Sequence, residues 1–310
     1  MEVLSTQQVL DLLTEGSELG ARNLHVFGGE PFLRDDLEEV FEYAYDLNLM
    51  LSVATNGSRI EPKDFDWIKK YNLFLGITLH GPEEFHDSFC KREGSYEQAF
   101  QALKTAVKLN LNVGAITCVT KLNSKTYFTW MKSLVEVGVR TFFVIYFSPL
   151  GRGKQRTEYQ MSNLEWNALL QTLKDYVLNS NLPVHVHFER SVIPKITFPL
   201  YFQRPPVIPC SLYTKSNCAI DANGDVYPCI LYLRNPEFRL GNFKMNSLHE
   251  IWGKFNPKIM IEAVKRSDSC INCQYITLCN GGCPVYYLAG LDFRCDAKHI
   301  PLCPLFTELL

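Results

Sequence analysis

The chain has 310 residues, 46% of them hydrophobic, and a formal net charge of −2. That length can bury a large core and accommodates one big domain with a small one, and the near-neutral charge carries no polyanion-binding signal, so nucleic acid is not an expected partner. The N-terminus, MEVLSTQQVLDLL, has no basic stretch leading into an apolar signal-peptide core, and no apolar run approaches the ~18 residues of a membrane span, so a cytoplasmic protein with no membrane partner is expected.

A helix is expected from Ser5, whose S-x-x-Q box with Gln8 can cap it; Val9, Leu12, Leu13 and Leu19 fall on one face and Gly20 suits its end. A short apolar strand, Leu24 to Phe27, runs into Gly28-Gly29, and a box from Asp35 to Glu38 starts the next helix. Strands follow at Leu51 to Thr55, Leu73 to Leu79, Leu111 to Val119, Thr141 to Phe147 and Pro183 to Phe188. Helices lie between them: Pro62 to Tyr71, Ser95 (boxed with Gln98) to about Leu109, one around Tyr127 to Val137, and one capped by Ser162 and Glu165. The alternation implies an α/β protein whose parallel sheet is closed or partly closed into a βα barrel, with its chemistry on loops at the C-terminal strand ends. A βα barrel begins with a strand, and here the first element is a helix. The expected fold is therefore a partial parallel barrel lacking its first strand, followed by a small cysteine-rich domain. The Pro-rich stretch Pro194 to Pro209 marks the boundary, giving domains 1–205 and 206–310.

The strand ends carry the candidate ligand groups. In Gly28-Gly29-Glu30-Pro31 the glycines allow close backbone approach and Glu30 can accept from an ammonium group. Thr55-Asn56-Gly57 is either near a ligand or simply a tight αL turn. Thr78 and His80 end the next strand; a histidine there can titrate or be a satisfied structural residue. Arg152, in SPLGRGK, belongs to a ligand loop or to a solvated basic one. Cys90 and Cys118 are isolated and are expected to be core thiols.

Nine of the eleven cysteines lie in the last 101 residues. Cys270, Cys273, Cys279 and Cys283 read C-x2-C-x5-C-x3-C, with Cys210, Cys218 and Cys229 upstream and Cys295 and Cys303 downstream. Four thiolates suit a [4Fe-4S] cluster or a zinc ion, and spacing alone does not separate them; a reducing compartment argues against disulfides.

The order of the tail is specific: Cys210, thirteen residues, Gly224, four residues, Cys229, then C-x2-C-x5-C-x3-C and a late cysteine. With DANGDVYPC (Asp221 to Cys229), it resembles the SPASM extension of radical S-adenosylmethionine enzymes. The resemblance implies two auxiliary [4Fe-4S] clusters with interleaved ligands. Cys210, Cys229, Cys283 and Cys218 would hold one; Cys270, Cys273, Cys279 and Cys303 would hold the other, with Cys295 competing for the last place. GGEP resembles the family's element for the methionine amino group of S-adenosylmethionine, and TNG and GRG (with Arg152) resemble its nucleoside-side loops. Where the family shows SLDG, this chain has ITLHG: Thr78 keeps the hydroxyl and His80 replaces the acid. His86-Asp87 with Gly94-Ser95-Tyr96 resembles a family segment expected to close a loop and cap a helix.

The resemblance implies hydrogen abstraction from a substrate. The expected function is maturation of a ribosomal peptide or peptide-derived cofactor, with a peptide or small-protein substrate and a ferredoxin- or flavodoxin-type reductant. Sulfatase maturases of the family place a basic aspartate after the cysteine where Ile230 follows Cys229, which disfavours that substrate. The family's C-x3-C-x2-C motif for the catalytic cluster does not occur before Gly28. The expectation is an N-terminally shortened enzyme, since the retained GGEP, TNG and GRG elements serve S-adenosylmethionine, and no reductive cleavage by these 310 residues alone. The alternative is a non-catalytic iron–sulfur protein acting in electron transfer or peptide binding.

Overall fold

The structure is a computed structural model and describes residues 3–188 and 211–258. These residues fall into two compact units, residues 22–188 and residues 3–21 together with 211–258.

The large unit is a six-stranded parallel sheet with its strands in chain order: β1 (Asn23–Val26), β2 (Met50–Thr55), β3 (Phe74–Thr78), β4 (Val113–Val119), β5 (Thr141–Tyr146) and β6 (His185–Phe188). Its helices are α2 (Leu37–Asp46), α3 (Asp64–Lys70), α4 (Glu83–Cys90), α5 (Ser95–Lys108), α6 (Ser124–Val137) and α7 (Asn163–Asn179), leaving the label α1 for the helix of the other unit. Parallel neighbours joined in sequence by right-handed crossovers put every helix on one face and leave the other as the inside of a partial barrel. Burial follows that division with a period of two. Val53, Leu75, Ile77, Ala115, Phe142 and Val144 are completely buried. The alternating set, which includes Ser52, Phe74, Thr78, Ile116, Phe143 and His187, is only partly covered.

The small unit joins α1 (Thr6–Glu18) to an antiparallel sheet of β7 (Ala219–Ile220), β8 (Asp225–Tyr227) and β9 (Gly241–Asn242), and to α8 (Leu248–Lys254). The Ser5–Gln8 capping box of α1 forms in both directions. One cluster of its core is Val226, Leu248 and Ile251, against which Leu12, Cys218, Ile220, Leu240 and Phe243 pack; Leu4, Leu13, Leu212, Ala219, Tyr227, Tyr232 and Phe255 are also buried. Leu4 N–H donates to the Ala222 carbonyl at 2.8 Å, and His249 contacts Glu15 at 3.2 Å through both its backbone N–H and Nδ1. Leu19, expected on the packed face of α1, is instead its exposed C-cap.

Three local expectations are corrected. The Asp35–Glu38 box does not form: the N-cap of α2 is Asp36, whose carboxylate is taken by the Arg34 guanidinium at 2.6–2.7 Å. Ser95 is not the N-cap of α5. Gly94 is, in the αL region, and the Ser95 hydroxyl donates to Asp87 at 2.8 Å. Cys90 is exposed rather than in the core, at the last residue of α4. The Ser162–Glu165 box of α7 is present as expected.

Candidate functional site

The C-terminal ends of β1 and β2 are tied together by one carboxylate. Glu30 Oε1 accepts from the Thr55 hydroxyl at 2.6 Å and from Phe32 N–H at 3.2 Å; Oε2 accepts from Asn56 N–H at 2.9 Å. Thr55 is buried and its oxygen also accepts from Gly57 N–H at 2.9 Å. Asn56 Oδ1 accepts from Ser58 N–H at 2.8 Å, so this segment is an Asx turn as well as a partner of Glu30. Gly57 needs its residue type twice over: its φ is +76°, and a Cβ would lie 3.0 Å from the Ala99 Cα on α5. Gly28 and Gly29 have φ of +84° and +51°, and a Cβ on either would meet nothing within 4 Å, so the strand mouth is open there. A carboxylate offers about four lone-pair directions and Glu30 spends three on protein donors, which leaves Oε2 able to take one ammonium hydrogen. Pro31 is buried and begins the short 3₁₀ turn that Glu30 caps.

The structure thus brings Gly28, Gly29, Glu30, Pro31, Thr55, Asn56 and Gly57 into one cluster. Thr78 is half-buried at the end of β3, and the β2–β3 register carried one step past Thr55–Ile77 sets it across from Asn56. Arg152 lies on the 3₁₀ helix Gly151–Gln155 that follows β5.

His80 is structural. Its Nδ1 accepts from Cys118 N–H at 3.2 Å, and its own N–H donates to His86 Nδ1 at 3.1 Å. Burial, with a smaller push from His86, brings its pKa down to about 3, so the ring is neutral at physiological pH. Asn123, a buried residue that sequence reasoning missed, donates to the His80 carbonyl at 2.6 Å and to the Cys118 carbonyl at 3.0 Å, locking the ends of β3 and β4. Asp87 accepts from Gly94 N–H (2.6 Å), the Ser95 hydroxyl (2.8 Å) and Tyr96 N–H (2.7 Å), which is the loop-closing and capping role expected of it. Desolvation opposes ionisation of Asp87, but the bonds from Tyr96, Ser95 and Gly94 outweigh it and lower its pKa.

In the small unit, the DANGDVYPC segment is the hairpin of β7 and β8. Gly224 has φ +90°, and a Cβ there would press on Leu4 at 3.1 Å. Asp225 is desolvated, yet bonds from Asn242, Asn223 and Arg239 lower its pKa. Ala219 pairs with Tyr227, so Cys218, one residue before β7, and Cys229, two after β8, lie at the same open end of the hairpin. Neither is in a disulfide. Burial pushes the Cys218 thiol up to about 11, which keeps it protonated unless a bound metal ion takes the proton's place. Two cysteines at one end of a hairpin suit soft-metal or iron–sulfur ligation. Cys210, Cys270, Cys273, Cys279, Cys283, Cys295 and Cys303, with the Pro194 to Pro209 boundary, lie outside the described residues.

The family comparisons agree with both halves. The Radical SAM superfamily model matches residues 1–134, and the SPASM iron-sulfur cluster-binding domain matches residues 210–281. Residues 1–134 thus belong to the radical SAM superfamily, and residues 210–281 to the SPASM domain. It is 23% identical over 268 residues (83% of this chain, 71% of the relative) to the cysteine-type anaerobic sulfatase-maturating enzyme of Clostridium novyi. It is 25% identical over 322 aligned residues (98% of this chain, 79% of the relative) to an AdoMet-dependent heme synthase of Oleidesulfovibrio alaskensis. Its fold is similar to that of Streptococcus suis SuiB bound to precursor peptide SuiA, with a TM-score of 0.75 at 15% identity, covering 93% of this chain and 67% of SuiB. The family implies iron–sulfur clusters and S-adenosylmethionine binding. Among the described residues no helix is long and apolar enough to cross a membrane.

Proposed function

We propose that this protein is a radical S-adenosylmethionine maturase that modifies a ribosomal peptide or a peptide-derived cofactor in the cytoplasm, fed by a ferredoxin- or flavodoxin-type reductant. The observation that carries the reading is the Glu30 tie at the mouth of the sheet, with one acceptor direction left beside two glycines that leave the mouth open. Bound S-adenosylmethionine, with an iron–sulfur cluster, supplies the hydrogen-abstracting radical. The chain's own residues do the rest: Glu30 takes the methionine ammonium, Gly28 and Gly29 admit its backbone-like end, and Asn56, Thr78 and Arg152 line the nucleoside side. Two auxiliary clusters belong to the SPASM half, one of them including Cys218 and Cys229. Domains at 1–205 and 206–310 remain the proposed division of labour.

The peptide class is supported by the sulfatase-maturating relative and by the SuiB fold, whose structure holds a precursor peptide. A specific observation favours a second reading, a tetrapyrrole substrate, because the heme synthase relative spans nearly all of this chain. Co-expression of the gene, together with in-frame upstream sequence that supplies a C-x3-C-x2-C segment, with the short peptides encoded beside it, followed by mass spectrometry, separates them. The expected result is a peptide lighter by two hydrogens. Unchanged peptides together with conversion of an added iron-coproporphyrin would overturn the peptide reading. Clusters without any product would favour an electron-transfer role.

A further inference from the structure

His25 lies on β1, three residues before Gly28, and its Cα pairs with Ser52 on β2. Both belong to the alternating set on the uncovered face of the sheet, and His25 is exposed there. His25 Nδ1 is 2.8 Å from the Ser52 Oγ, and the Ser52 Oγ is 3.3 Å from the Leu24 carbonyl. A carbonyl only accepts, and Ser52 has one proton. Both hydrogen bonds are made together only if Ser52 donates to Leu24 and accepts from a protonated Nδ1. That fixes the tautomer and leaves Nε2 as a bare lone pair, with no partner among the described residues. Phe27 stacks on the imidazole with ring centres 5.3 Å apart, which holds the ring's plane. Although the residue as a whole is exposed, desolvation of its ring lowers the pKa of His25, which favours the neutral form. A base oriented by a second group through its other nitrogen is the arrangement that proton abstraction requires.

We infer that His25 is the proton acceptor for the substrate, its Nε2 receiving the proton of an N–H, O–H or S–H group. The inference rests on the maturase reading above and deepens it. Removing two hydrogens from a peptide means that one leaves as an atom, to the radical that bound S-adenosylmethionine supplies. The other leaves as a proton to His25 Nε2, and one electron passes to a one-electron acceptor of the iron–sulfur class while the new bond forms in the substrate.

The first test needs no turnover. In ¹⁵N-histidine NMR of the whole protein, His25 is expected to show a protonated Nδ1 and an unprotonated Nε2. Ser52→Ala should shift the proton to Nε2, and diethyl pyrocarbonate should acylate His25 well before His80. A proton on Nε2 in the wild type overturns the assignment. The second test uses the peptide co-expression above. His25→Phe and His25→Gln are expected to lower the two-hydrogen product by ~100-fold or more while 5′-deoxyadenosine is still released, with His25→Gln keeping peptide binding because its amide oxygen still accepts. Product at wild-type yield from His25→Phe overturns the proposal. No product from the wild type overturns the maturase reading, and the proton-transfer role with it, while the NMR result still decides the tautomer.

Discussion

The large unit holds six strands and six α-helices around side chains that are completely buried, such as Val53, Leu75, Ile77 and Phe142, and Glu30, Thr55, His80 and Asn123 near its strand ends are hydrogen-bonded. Among the described residues of the small unit, Val226 alone is completely buried, and Leu4, Leu13, Leu212, Tyr227, Tyr232, Leu248, Ile251 and Phe255 are nearly so. What the hairpin has instead is a polar lattice on Asp225 and two cysteines at its open end. On this difference we propose that the large unit stands without its cofactor, whereas metal acts as a structural staple in the small unit.

The comparison breaks most visibly on iron. Replacing Cys229 by Ser is expected to remove about four irons per chain, the content of one cluster. It should also expose the 219–243 segment to hydrogen exchange while strands β2 and β3 keep their protection. Equal loss in both units would refute the staple. Next in size is Gly57→Val, confined to the large unit. It forces a side chain into φ +76° with a Cβ 3.0 Å from Ala99, and a loss of about 2–4 kcal/mol in urea titration is expected.

Glu30→Gln should follow. One oxygen can keep the Thr55 and Phe32 bonds, but the amide nitrogen then faces the Asn56 N–H. A cost of about 1–3 kcal/mol and a weaker grip on S-adenosylmethionine, read by calorimetry, are expected. The smallest effect is Asp87→Asn. The folded pKa of Asp87 is depressed, so its contribution is complete above the ordinary carboxylate range and is lost as pH falls through the folded value. The Tm gap between wild type and variant should therefore be open at pH 7 and close in strong acid. A gap that widens in acid would reverse the sign.

The strands were legible in the sequence because each apolar run sits between turn residues, as at Leu73 to Leu79. The boxes at Ser5 and Ser162 were legible because serine at that place has no nearer competitor. The box at Asp35 failed because Arg34 claims the neighbouring Asp36, and pairing of adjacent side chains is not a periodic signal. Helix α4 was hidden by its length, Glu83–Cys90, and by aromatic residues that serve packing more than periodicity. The GGEP and TNG motifs pointed to the strand mouth. That Glu30 itself joins the two motifs is a tertiary fact, as are the Asn123 lock and the His25–Ser52 pair, since each joins residues more than twenty positions apart in the sequence.

The account places the cofactor at the ends of β1 and β2 and metal in the hairpin unit. Hydrogen-exchange mass spectrometry of the iron–sulfur-reconstituted protein, with and without S-adenosylmethionine, tests this directly. Slowed exchange at residues 28–32 and 55–58, with residues 219–243 unchanged, is the predicted result; protection confined to the hairpin, or to neither segment, would contradict it.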